Sequence, residues 1–569
     1  MRVAVTQYAT SLNIEENLAT CIRIITQAAS CKPDVIVLPA FCNTQQVIDQ
    51  NDKQLSEHES AFVQALSEQA KQHECYLVAH LNLQPSQVDD VNLADTVDKL
   101  KHSGTSCLIS PSGELIEQGT EILTTPQAKL GLLANDDILT FEPARSLALA
   151  GAELLCYSHR SFSLDQSNIH APTRACENKV FLALSNQIGP LVDEGLQAEN
   201  SIPEQHFNGV GQSQIISPNG KILAKLDHNE EGFTFADILF NTVQIEEDKG
   251  NNKLRPDGSD IFKQRRPELY QQSISTGFTD NSVSVTEPEN TVPETVNVAL
   301  FATYKTTEQA IEDVCFYIEN NLSDIIQLPE LFFIEDKIIT HDPKQLAELE
   351  VISQQIIERV SAELRPHQYV CTSLIIDGSH QGVIISEQGA FATQQQLHFC
   401  ERYKWTPLGN KLNIIELSLE QGNITLAILT ADDANIAEIV NVAVLNKVHL
   451  LLVPFDIQEP SEVEFSLLSR AAEHRICIVA SSREKDFASK EVATVNTNTK
   501  NQNQNKKKVK PQKSTGLVAD LLSREALNSH LSTAHNSRKF SGYINQPLVK
   551  HQHGKITKSL IHPRAACEK

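Results

Sequence analysis

The sequence predicts an α/β protein made of two layered sandwiches in tandem. Apolar runs of strand length alternate with amphipathic helical stretches, and Gly-containing turns punctuate hairpins between them. The whole pattern then recurs about 295 residues later.

The first copy opens on a strand-like run, Val3–Gln7. Helical apolar spacing follows over Asn17–Ala29, then a buried-strand signal ending in Asp34–Pro39 (DVIVLP). Hairpins are expected at Thr105–Ile116 around Ser110-Pro111-Ser112-Gly113, and at Gln214–Leu226 around Ser217-Pro218-Asn219-Gly220, where Gly supplies the positive φ. The second copy repeats the order. Val298–Ala302 matches Val3–Gln7, Ala310–Asn320 has helical spacing, and Asp324–Pro329 (DIIQLP) matches Asp34–Pro39. A hairpin at Gly382–Ala392 turns at Gln388-Gly389, and Asn446–Pro454 (NKVHLLLVP) reads as a buried strand. Leu130–Asp137 (LGLLANDD) is set against Thr425–Asp432 (TLAILTAD), and Arg174–Asn178 against Arg470–His474. Domain 1 is thus expected over 1–270 and domain 2 over 296–569. Between them, 271–295 is rich in Ser, Thr, Asn, Glu and Pro and is expected to be a flexible linker. The polar stretch 496–513 is expected to be a disordered insert.

The 569 residues carry a net charge of −24, which argues against nucleic acid or an anionic membrane surface as partner. No secretory signal and no run of 18 apolar residues is found, so a cytoplasmic protein with no membrane span is expected. The 12 cysteines follow no framework and are expected to be reduced and buried. His530, His535, His551, His553 and His562 have no metal-ligand spacing. No phosphate loop or dinucleotide fingerprint occurs, so no metal and no cofactor is expected.

The ordered set of motifs resembles the nitrilase (carbon–nitrogen hydrolase) superfamily. It comprises the strand ending in Leu-Pro, the hairpin, and the strand–elbow–helix around Gly131–Asp137. Phe141–Arg145, Gly151–Leu155, Arg174–Asn178 and a closing Arg265–Tyr270 complete it. The resemblance covers nearly the whole chain. It implies a four-layer α-β-β-α sandwich for each copy. It also implies hydrolysis of a nitrile, amide or carbamoyl C–N bond by a Cys nucleophile, a Glu base and an oxyanion-binding Lys.

Residue by residue, the resemblance meets a degenerate triad. In the first copy Ala40 stands at the Glu position and Asn135 at the Cys position, and no Lys matches. Cys42 lies nearby and reads as a buried structural thiol. In the second copy Glu330 and Lys404 are retained, with Thr430 at the Cys position. Cys400, four residues before Lys404, is read on the same strand face, and Asn410 marks loss of an auxiliary Glu. A hydroxyl is harder to deprotonate than a thiol, and a carboxylate is a poor base for it. The expectation is a pseudoenzyme with a binding, regulatory or scaffold role, whose ligand would be a small amide, an amino acid or a polyamine-like molecule. The alternative is a divergent C–N hydrolase acting through domain 2. Family members associate through helices, which implies self-association, a nitrilase-family partner, or packing of the two copies as an intramolecular pseudo-dimer.

Overall fold

The computed structural model describes residues 1–44, 53–82, 104–117, 122–161, 163–191, 208–240, 254–271, 292–293, 295–303, 305–334, 338–483, 516–519 and 537–540. Of the expected linker, 272–291 and 294 lie outside the described residues. So do the insert 496–513 and the five C-terminal histidines. The chain divides into two compact units, Met1–Lys253 and Leu254–Lys569. Residues 254–270, expected to close domain 1, therefore belong with the second unit. Their donors find acceptors there: Arg265 pairs with Glu438 at 2.6 Å, and Arg266 donates to the Leu397 and Gly409 carbonyls.

The first unit begins with β1 (Arg2–Tyr8), α1 (Ile14–Ala29), β2 (Val35–Ala40), α2 (Lys53–His73) and β3 (Tyr76–Leu81). The hairpin β4 (Thr105–Ile109)–β5 (Leu115–Glu117) follows, as expected, and then β6 (Leu123–Thr124) and β7 (Lys129–Ala134). Next come α3 (Glu142–Ala150), β8 (Leu154–Ser158), α4 (Ala171–Asn178), β9 (Phe181–Pro190), β10 (Asn208–Val210), the hairpin β11 (Gln214–Ile216)–β12 (Ile222–Lys225), and β13 (Gly232–Asp237). The strand path runs β5-β4-β3-β2-β1-β9-β8-β7-β6, with β13 antiparallel on the other side of β1. Alternation along the strands splits the core in two. Val3, Val5, Val35 and Val37 face Leu130, Leu132, Leu154 and Cys156, while Ala4, Ile36 and Leu38 face the helices. In α1 the residues buried are Cys21, Ile24, Ile25 and Ala28, one stripe at helical spacing, and Asn13 caps the amides of Glu15 and Glu16.

The second unit carries α5 (Pro267–Gln271), β14 (Val298–Phe301), α6 (Thr307–Glu319), β15 (Ile325–Gln327), α7 (Pro343–Glu363), β16 (Tyr369–Ile376), β17 (Ser379–Ser386) and β18 (Gly389–Gln395). It continues with β19 (Ile415–Leu419), β20 (Gly422–Ile428), α8 (Ala437–Leu445), β21 (Leu450–Pro454), α9 (Leu467–His474), β22 (Cys477–Ser481), β23 (Gly516–Ala519) and β24 (Ser537–Phe540). One sheet is ordered β18-β17-β16-β15-β14-β24, the other β19-β20-β21-β22-β23. Their facing sides meet through Val298, Leu300, Ile325 and Cys371 on one and Leu417, Leu426, Leu450 and Val479 on the other. The far side of the first sheet packs Ile326, Val370 and Val383 on Ile311, Val314 and Ile318 of α6 and Ile356 and Val360 of α7. With α9 against β22, the layers run helix, sheet, sheet, helix.

Gly382 lets the two sheets of the second unit approach. A Cβ there would overlap Ile428 Cγ2 and lie 2.9 Å from Thr430 Cγ2. Gly382→Ala is therefore expected to destabilise the protein by about 1–3 kcal/mol through overpacking, read as a lower urea midpoint with unchanged m-value.

Candidate functional site

In both units a parallel strand ends in a sharp turn before a helix, and the turn carries a non-glycine residue at positive φ. In the first unit this is Asn135 (φ 45), directly after β7. In the second it is Ala431 (φ 51), not Thr430. The pairing of β7 with β8 sets Leu130 opposite Leu154, and that of β20 with β21 sets Leu426 opposite Leu450, an offset of 296 for both residues. Lys179 and Arg475, both αL caps, have the same offset. The expected match of Asn135 with Thr430 was thus one residue out of register, and the elbow position in the second unit is an alanine. Thr430 itself is fully buried and packs toward Gly382, and its Oγ1 has no hydrogen-bond partner.

Glu330 reaches this elbow from the end of β15. Its backbone is fixed by Thr372, whose hydroxyl donates to the Pro329 carbonyl at 3.0 Å, and by its own N–H to the Phe455 carbonyl. Its side chain is fully buried. Oε1 accepts from the Ala431 N–H at 2.7 Å and Oε2 from the Tyr403 hydroxyl at 2.8 Å. His380 Nε2 lies 3.7 Å from Oε1 and Arg402 4.0 Å from Oε2. Burial outweighs the attraction of Arg402 and pushes the Glu330 carboxyl up to about 8. His380 sits between Gln396 Oε1 and Ser373 Oγ, each at 2.9 Å, and burial drives its pKa down to about 4, so it is neutral.

Lys404 is absent from this cluster. The stretch read as a strand is a 3₁₀ turn, Glu401–Tyr403. Three residues per turn bring Lys404 back beside Glu401 at 3.6 Å, with 61% of its side chain exposed, while Arg402 and Tyr403 turn inward. Cys400 is buried just before that turn, and burial holds its thiol well above the usual range. Asn410 is exposed.

Arg402 is the cation of the centre. It lies 3.1 Å from Asp432, 3.2 Å from Asp257 and 3.9 Å from Asp456, with its guanidinium over the Tyr403 ring. Arg255 adds contacts of 3.7 Å to Asp432 and 3.6 Å to Glu462, and Gln264 donates to Asp432 at 2.7 Å. Burial alone would raise Asp432, but Arg402 and Arg255 hold it below the usual carboxylate range. Ligand atoms of Asp257, Cys400 and Asp432 lie within 4.8 Å of one another. The guanidinium already answers both aspartates and the thiol stays protonated, which makes the cluster an ion-pair knot rather than a metal cage.

In the first unit Ala40 is buried where Glu330 stands in the second, with its N–H on the His159 carbonyl. His159 is neutral, its pKa lowered by burial to about 4. Cys42 lies in the helix-side core with Tyr8 and Cys21, away from the elbow. A hydrogen bond with Cys21 and burial raise its thiol well above the usual range. None of the described cysteines is in a disulfide, and among the described residues no helix is long and apolar enough to cross a membrane.

Sequence reasoning missed Ala431, Arg402, Tyr403 and the whole 254–271 contribution. The acidic doublet was the available signal for register: Asp136-Asp137 and Asp432-Asp433 both follow the elbow directly.

Residues 2–245 match the carbon-nitrogen hydrolase family model. A protein named as a probable nitrilase of Schizosaccharomyces pombe is 31% identical over 157 residues, 27% of this chain and 50% of that protein. N-carbamoylputrescine amidases of Solanum tuberosum and Arabidopsis thaliana are 31% and 29% identical over 164 residues, again 27% of this chain and 50% of theirs. The chain spans about half the length of the curated relatives it matches. Among solved structures, an amidase from Nesterenkonia sp. is 22% identical with a TM-score of 0.36, covering 48% of this chain and 95% of that one.

The Glu330 carboxyl gives the second unit a distinctive pH dependence. Its native pKa of about 8 exceeds the unfolded value of 4.5, so the native state holds the extra proton between those limits. The stabilisation is complete below the unfolded pKa and is lost as pH rises through the native one, by at most about 1.4 kcal/mol per pH unit. Glu330→Gln is expected to flatten this decline, so that chemical denaturation at pH 5 and pH 8.5 separates the midpoints less in the variant than in wild type. An unchanged separation rules out Glu330 as its source.

Proposed function

We propose that this chain is a tandem duplication of the carbon–nitrogen hydrolase fold that has exchanged catalysis for a binding, regulatory or scaffold role. The observation that carries the reading is the pair of elbows, where Asn135 and Ala431 occupy the strained position that would have to present a nucleophile. Neither side chain attacks a carbonyl or nitrile carbon. Duplication is supported by the offset of 296 that relates both elbows, their strands and their αL caps.

The rest of the chemistry has gone the same way. In the first unit Ala40 leaves no base. In the second, Glu330 spends its acceptors on the Ala431 amide and Tyr403, and it is protonated at neutral pH. A protonated carboxyl cannot take a proton from a nucleophile. Thr430, one residue before the elbow, turns its methyl group toward Gly382, and its buried hydroxyl makes no hydrogen bond to Glu330. The relatives' names point to nitriles and carbamoyl amines as the chemistry from which this chain departed.

Two measurements test the reading. Wild type and Thr430→Ala assayed against a panel of small amides, nitriles and carbamoyl amines are expected to show no turnover above buffer. Turnover by wild type that Thr430→Ala abolishes would overturn the proposal in favour of a divergent hydrolase. Ala431→Cys restores a thiol at the elbow, where Ala431 is 1% exposed. With the knot closed, that thiol is expected to resist iodoacetamide in the native protein and to react fully after unfolding. Rapid native labelling would mean an open cavity.

A further inference from the structure

We propose that the first unit binds a small monocarboxylate through Arg160, at the corner where the C-terminal ends of β2 and β8 meet. The site is built from residues of the first unit alone, and the inference goes beyond the loss of catalysis.

Arg160 follows His159 at the end of β8 and is partly buried. Its guanidinium lies over the Phe41 ring, 5.4 Å from the centroid. Among the described residues no side chain or carbonyl takes a hydrogen bond or ion pair from it. Asp136, exposed on the elbow, is the acid whose field reaches Arg160, and it stays beyond ion-pair distance. A partly buried guanidinium without an acceptor is unusual, since it gives up hydration and gains only a ring contact worth about 0.5–2 kcal/mol. The contrast within this chain makes the point. Arg174 of the first unit, by comparison, is answered by the Ile138 carbonyl and the Glu177 carboxylate. In the second unit Arg402 meets three aspartates.

The surroundings of Arg160 suit an incoming anion. Phe41 supports the guanidinium with its ring face, and itself sits at positive φ (53) with its ring 5.1 Å from His80. His80 is nearly fully buried, with Nδ1 on Ser106 Oγ at 2.9 Å, and so keeps Phe41 in place. Gly104 closes this side, because a Cβ there would collide with the His80 ring. A ring contact leaves the guanidinium N–H groups unspent, and their fork matches the two oxygens of a carboxylate.

Charge at the adjacent positions has inverted between the units. The offset of 296 places Asp456 where the first unit has Arg160, and Glu330 stands where the first unit has Ala40. The second unit's corner is therefore acidic and holds its own arginine. The first unit's corner has lost the carboxylate that would repel an anion and gained a cation. One guanidinium with Asp136 in its neighbourhood fits a singly charged carboxylate better than a phosphate dianion.

The test is thermal shift and calorimetry on the full chain with sodium propionate, at constant ionic strength, with propionamide and inorganic phosphate as controls. Propionate is expected to raise the Tm saturably, and the two controls are not. Arg160→Gln is expected to abolish the shift while far-UV circular dichroism is unchanged. Arg160→Lys, which keeps the charge without the fork, is expected to weaken binding about tenfold. Glu330→Gln, in the other unit, should leave the shift intact. The proposal fails if propionate gives no shift, if propionamide or phosphate gives an equal one, if Arg160→Gln retains it, or if Glu330→Gln removes it.

Discussion

The second unit is organised by one requirement, that a buried guanidinium be answered by carboxylates. Arg402 has 14% of its side chain exposed and brings together Asp257, Asp432 and Asp456 from three separate stretches of chain. Removing one partner from such an arrangement costs about 3–5 kcal/mol because the others are left uncompensated. The same requirement explains why residues 254–271 belong with this unit. Their buried apolar anchors are few, Ile261 and Leu269, whereas Arg255, Asp257, Gln264 and Arg265 all enter the ionic lattice or its border. The segment is held by charge and hydrogen-bond geometry more than by area.

That lattice also sets the state of Glu330. Arg402 is committed to three aspartates and stands 4.0 Å from Glu330, too engaged to keep it ionised against burial. Glu330 is left with two neutral donors, the Ala431 amide and the Tyr403 hydroxyl, and with a neutral His380 nearby. A base poised near neutral pH and a base silenced by burial look alike in sequence. What separates them is whether a nucleophile lies within its reach, and here the groups within reach are an amide and a phenol that serve as its hydrogen-bond donors.

The large features were legible because they rest on periodicity. The stripe of α1, the hairpins at Gly113, Gly220 and Gly389, and the buried strand Leu450–Pro454 all follow from spacing that burial enforces over many residues. The site was legible only in outline. Finding Glu330 needed just the Leu-Pro step that ends its strand. Lys404 was misplaced because strand alternation was applied to a 3₁₀ turn, which presents its third residue to solvent. The elbow was misread by one residue because Asp432, the first acid of its doublet, was aligned with Asp137, the second acid of the other, and a backbone at positive φ leaves no trace when its residue is neither Gly nor Asn. Residues 254–271 were assigned by proximity in sequence, whereas their partners lie more than 130 residues away.

The two units mount different side chains on the same backbone turns. The backbone elbow is present in both, with Asn135 and Ala431 at φ near 50 although neither carries a nucleophilic side chain. It persists because the strand must turn sharply into the helix that covers it, and packing fixes that turn whatever side chain it carries. A buried Arg–Glu pair one turn apart is shared as well, Arg174 with Glu177 within α4 and Arg470 with Glu473 within α9. What has drifted is the sign of the charge at the strand ends, Ala40 and Arg160 against Glu330 and Asp456. In the second unit the acids are answered internally by Arg402. In the first, Arg160 meets no carboxylate among the described residues and rests on the Phe41 ring, and a partly desolvated charge without a partner is what the proposed carboxylate site would answer.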